Sequence, residues 1–81
     1  MSNLNVQFCE DTANNAWDSL RSVLEMGIEL PEASLELYED LSKEIGRYML
    51  DTGASTPGDI QHSYNLLQRQ LAEVVNTHES N

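Results

Sequence analysis

TPGDIQHSYNLLQRQLAEVV, residues 56–75, decides the fold. Thr56 can cap a helix, Pro57 suits a first turn that has no use for its missing N–H, and Asp59 can reach back three residues to close a shortened capping box. Ile60, Tyr64, Leu67, Leu71 and Val74 then recur at 4-3-4-3 spacing. That is an a/d seam, too short for a free coiled coil and right for packing inside a bundle. The stretch from Asn76 to Asn81 is polar and is expected to fray.

Two more helices precede it. Pro31 suits the first position of a helix, Glu32 favours its positive end, and the stripe Leu37, Leu41, Ile45, Tyr48 follows, flanked by Tyr38 and Met49. This helix should reach about Thr52, with Gly53 as its stop. Gly46 inside it costs about 1 kcal/mol relative to Ala and would permit close approach of a neighbouring helix. Upstream, Ala13, Ala16, Trp17, Leu20, Val23 and Leu24 share one stripe, which predicts a helix from about Ala13 to Met26 capped by Asp11 or Thr12. Gly27 stands where a left-handed C-terminal residue belongs, and Ile28 where its apolar contact with Val23 would follow. Leu4, Val6 and Phe8 alternate with polar residues, which suggests a short extended arm over residues 1–10. Such an arm would strap across the helices or pair with a second copy in a homodimer; a short helical turn is the alternative reading.

The expected fold is therefore all-α: a small bundle of three main helices with a short extended N-terminal arm. Its 81 residues make one domain, 1–81, and a chain of this size buries only about 60% of its unfolded surface. Leu35, Leu50, Leu66 and Val75 lie off the main stripes, where they would either widen the apolar faces or form a contact surface.

Charge is the outstanding property. Fourteen carboxylates face four bases, for a net charge of −10. Such a chain repels phosphate backbones and anionic lipid, so basic protein surfaces are its natural partners. No basic leader or apolar run opens the sequence and no stretch approaches a membrane span, so a cytoplasmic location is expected. The single cysteine, Cys9, can form neither an internal disulfide nor a multi-thiolate metal site, and Glu10 and Asp11 beside it should raise its pKa.

Two short motifs suggest chemistry. Leu50-Asp51-Thr52-Gly53-Ala54-Ser55 resembles the Asp-Thr-Gly loop of the aspartic proteases, in which two aspartates share a proton across a dimer axis and activate water. That resemblance implies an almost wholly β fold with a Gly-rich flap, whereas here helical periodicity precedes the motif and a helix start follows it. Asp18-Ser19-Leu20 resembles the phosphopantetheine attachment site of acyl carrier proteins, which are also small, acidic and helical; Gly27 to Pro31 is similar to their sequence as well. A carrier serine opens the second helix after a long loop, and Ser19 falls inside the first. Asp59-x-x-His62 is half of a di-iron pattern without its second half, and His78 stands apart. No cofactor, metal site or catalytic constellation is expected.

One feature is left. Glu32, Glu36, Asp40 and Glu44 recur every four residues on helix two, and Glu25, Glu29 and Glu39 join the same region. Between Glu10 and Asp51 eleven acids face three bases, a net of −8; residues 52–81 carry three acids and one base, a net of −2. Like charges at this spacing destabilise a helix by about 0.2–0.5 kcal/mol per pair, and Lys43 and Arg47 do not balance the row. A solvated acidic face is the plain explanation. The sharper one is a row that imitates a phosphate track and occupies a basic groove on a nucleic-acid-binding protein. The expectation is a non-enzymatic protein-binding module, similar in character to small inhibitors of phages and mobile elements. Two alternatives stand beside it: a small-ligand or carrier protein using Tyr38, Tyr48, Tyr64, Arg47 and Arg69, and a structural subunit of a larger assembly.

Overall fold

The computed structural model describes residues 3–50 and 54–80, with side chains from Val6 onward. Three helices follow in order: α1 Asn3–Glu25, α2 Glu32–Leu50 and α3 Pro57–Ser80. They form the expected three-helix bundle.

The two helix ends with the clearest sequence signals form as their residues dictate. At the end of α1, Gly27 takes φ 81°, a conformation that needs no Cβ. The Gly27 N–H donates to the Leu24 carbonyl at 2.9 Å and the Ile28 N–H to the Val23 carbonyl at 3.4 Å. Ile28 and Val23 are both buried, which completes the Schellman closure. At the start of α3, the Thr56 N–H donates to the Asp59 carboxylate and the Asp59 N–H to Thr56 Oγ1, both at 3.1 Å. Two otherwise orphaned donors are thus satisfied reciprocally. Pro31 sits just ahead of α2, where its carbonyl accepts from the Ser34 and Leu35 N–H groups.

Two boundaries differ from the sequence reading. Residues 3–10 are helical, so the expected extended arm is the start of α1, and Asp11 and Thr12 lie inside the helix instead of capping it. Asp11 accepts from Gln7 Nε2 at 3.0 Å, an i,i+4 pair that supports the helix. Helicity also runs through Asn76 to Ser80, where fraying was expected. The expected stop at Gly53 lies outside the described residues.

The core is one cluster. Cys9, Ala16, Leu20 and Val23 enter from α1, Leu41, Ile45 and Tyr48 from α2, and Ile60, Leu67 and Leu71 from α3. Trp17 and Leu24, expected in the core stripe of α1, sit at its edge and are about half exposed. Helix α3 packs on both others, most extensively on α2, while α1 and α2 touch each other least.

Ser19 and Gln68 hydrogen bond across parallel helices. They are the seventeenth residue of α1 and the twelfth of α3, so α1 starts about five residues ahead, roughly 7–8 Å. This stagger stretches the bundle to 49 × 18 × 15 Å, although its longest helix measures only about 36 Å.

Candidate protein-binding surface

Successive residues in an α-helix turn by about 100°, so a row repeating every four drifts about 40° per step. Glu32, Glu36, Asp40 and Glu44 therefore wind around α2, and Glu44 ends about 120° from Glu32. The structure shows the effect. Glu32, Glu36, Glu39 and Asp40 are exposed. Glu44 has turned toward the interior, with its side chain only 22% accessible. It accepts from the buried Ser55 Oγ at 3.0 Å and from Arg47 Nη1 at 3.1 Å. Glu44 thus tethers the start of the third helix to α2 and is separated from the acids it accompanies in sequence.

Glu36, Glu39, Asp40 and Lys43 share one shallow surface depression. Lys43 stands 3.9 Å from Glu39, both side chains well exposed, an ion pair of little energetic weight. Glu25 ends α1 and Glu29 lies in the connection to α2; both are exposed. Of the seven acids singled out from sequence, three gather on the middle of α2, three follow the α1 end and the α2 start, and one is internal.

Sequence reading missed an apolar element beside these acids. Trp17 of α1 packs on Tyr38 of α2, ring centroids 6.3 Å apart at 50°, a tilted geometry worth about 0.5–1.5 kcal/mol beyond area burial. Val6, Trp17 and Leu24 on α1 and Leu35 and Met49 on α2 are each between 42% and 54% exposed. Val6 and Trp17 are eleven residues apart and Trp17 and Leu24 seven, so the three share one face of α1; Leu35, Tyr38 and Met49 similarly share one face of α2. The Trp17–Tyr38 contact sets these two faces side by side. The result is a half-open apolar seam on the side of the bundle away from α3. Its signal was present in sequence as the off-stripe Leu35 and the flanking Tyr38 and Met49. Leu50 is also exposed, whereas Leu66 and Val75 are half-buried, Val75 packed against the core.

The other expected constellations do not assemble. Ser19 is half-buried inside α1; its Oγ donates to the Asn15 carbonyl at 2.9 Å and accepts from Gln68 Nε2 at 2.8 Å. A serine held on both sides in mid-helix lacks the exposed loop setting of a carrier attachment site. The Asp51-Thr52-Gly53 motif lies outside the described residues, which otherwise form helices and no strand. His62 and His78 are exposed, and no metal-binding cluster occurs among the described residues. Asp59 is committed to its cap. Tyr48 is in the core, Tyr38 on Trp17, Arg47 on Glu44, and Arg69 faces solvent, so the residues proposed for a ligand pocket are dispersed. Cys9 is buried, and burial pushes its thiol above the usual value; the direction matches the sequence reading, but the cause is desolvation. No described helix is long and apolar enough to cross a membrane.

Compared with protein families, with curated proteins and with solved structures, the chain matches none.

Proposed function

We propose that the protein is a non-enzymatic binding module that occludes a basic surface of a partner protein, as a small inhibitor or regulator does. The observation that carries this reading is the exposed acid ridge of α2, where Glu36, Glu39 and Asp40 share one depression with Lys43 as the only base lining it. The net charge of −10 adds long-range attraction to a basic target. A row that drifts around the helix fits a curved basic groove better than a straight phosphate track, so phosphate imitation is not needed for the reading. The recognising residues are Glu25, Glu29, Glu32, Glu36, Glu39 and Asp40; Glu44 contributes by holding Ser55.

Affinity capture from the native host lysate tests it. The double variant Glu36→Lys/Asp40→Lys should lose the captured partner while its circular dichroism stays unchanged, and raising salt should release the partner from the wild type as screening shortens the electrostatic range. Undiminished capture by the double variant removes the proposal.

A further inference from the structure

We propose that the half-open seam between α1 and α2 docks an amphipathic helix of the partner, one whose apolar stripe is flanked by lysines and arginines. This deepens the reading above and rests on it.

Two features of the seam specify the occupant. Its floor is apolar and aromatic, with Trp17 packed against Tyr38 in a tilted contact at the centre and Val6, Leu24, Leu35 and Met49 half exposed along both edges. Residues three and four apart on a helix are neighbours, so Glu32 and Glu39 border Leu35 on the outer side of α2. On α1, Glu10 shares the Trp17 face one heptad earlier, and Arg21, four residues after Trp17 and three before Leu24, stands on the same border. The bases on these borders, Arg21 and Lys43, form only exposed ion pairs of little energetic weight, with Asp18 at 3.3 Å and Glu39 at 3.9 Å. The seam is thus an apolar floor whose borders carry three acids, Glu10, Glu32 and Glu39, against two bases, Arg21 and Lys43, with the acids concentrated on α2. A helix laid in it would bury its own apolar stripe against the aromatic pair and bring flanking cations to Glu10, Glu32 and Glu39, the helix-in-groove mode of recognition. A second copy of this chain suits the seam poorly, because pairing two copies would bring together two net charges of −10.

Trp17, the single tryptophan, lies in the seam and reports on it directly. The full chain is titrated with three synthetic peptides: leucines at four-three spacing flanked by lysines, the same leucines flanked by glutamates, and the lysine peptide in scrambled order. The expected result is a saturable blue shift of Trp17 emission with the first, and at least tenfold weaker binding of the other two. Leu35→Asp/Met49→Asp, or Leu35→Gln alone if the double variant loses helicity, should weaken the first peptide at least tenfold. No blue shift, equal binding of the scrambled peptide, or unchanged binding by these variants overturns the proposal. So does a stable dimer of the chain alone with Trp17 already shielded, which would assign the seam to a second copy. The native partner separates this proposal from the one it rests on. If the charge-reversed ridge loses the partner and the seam variants keep it, the seam proposal falls and the acidic reading stands; if both variants keep it, both fall.

Discussion

The sides of the bundle that α3 closes and the side it leaves open are built from the same kinds of helix and end differently. Along α3, the residues pointing inward are almost fully buried, Ile60 and Leu67 at 0% exposure. Where α1 meets α3, Val75 is half-buried against the core, and Ser19 and Gln68 seal the edge with a hydrogen bond. Along the α1–α2 edge the shoulder positions are apolar, and Trp17, Leu35 and Met49 stay half exposed after the core is full. Three helices around one axis bury the stripe that faces the axis; what stands on the shoulders decides whether an edge is finished or open. Here one edge is closed with the help of an amide–hydroxyl bond, and another carries large apolar groups that the described residues do not cover.

Substitutions on the two sides can break this contrast. Leu67→Ala should cost about 3 kcal/mol, because it removes buried methyl groups and leaves a cavity. Urea denaturation would show a large drop in midpoint, and a loss below about 1 kcal/mol would mean that the α3 side is not closed. Ser34 is 0% exposed and its Oγ has no hydrogen-bond partner among the described residues. An unpaired buried hydroxyl is costly, so Ser34→Ala should raise stability by about 1 kcal/mol by the same measurement. Gly46, beside the open seam, has no atom within 4 Å of where a Cβ would stand, so nothing in the chain requires its smallness for close approach. Gly46→Ala should therefore add about 0.5–1 kcal/mol through helix propensity. Smallest of all, Met49→Ala should change stability by less than about 0.5 kcal/mol, because Met49 is 54% exposed. A larger loss would show that the seam is already covered in solution.

The helix count, the two local closures at Gly27 and Thr56, and most of the core were legible because each rests on residues close in sequence. The arm at residues 1–10 was not. Three alternating apolar residues are too few to separate period two from period 3.6, and Asp11-Thr12 imitates a cap. Phe8 of that segment packs against the core as its hydrophobicity suggests, but the fully buried positions are Cys9 and, just after the segment, Thr12, whose burial does not follow from hydrophobicity alone. The acid row was legible as a composition and misleading as a line, because its four-residue repeat does not match the helical turn. Glu44 could have been set apart beforehand: it lies next to Ile45 and three residues after Leu41, on the flank of the core stripe. The seam was harder to see, since Trp17 and Leu24 look like core residues until the third helix fixes which sector of α1 is covered.

The turn that ends α1 also bears on how the chain reaches this structure. Val23 and Ile28 meet across only five residues, and Thr56 and Asp59 across three, so both helix ends can form before any distant pair of residues meets. Local contacts of this kind require little loop entropy, and helical bundles built on them fold on the order of microseconds to milliseconds. The Ser19–Gln68 bond spans 49 residues, so its closure carries a far larger loop entropy than either helix end.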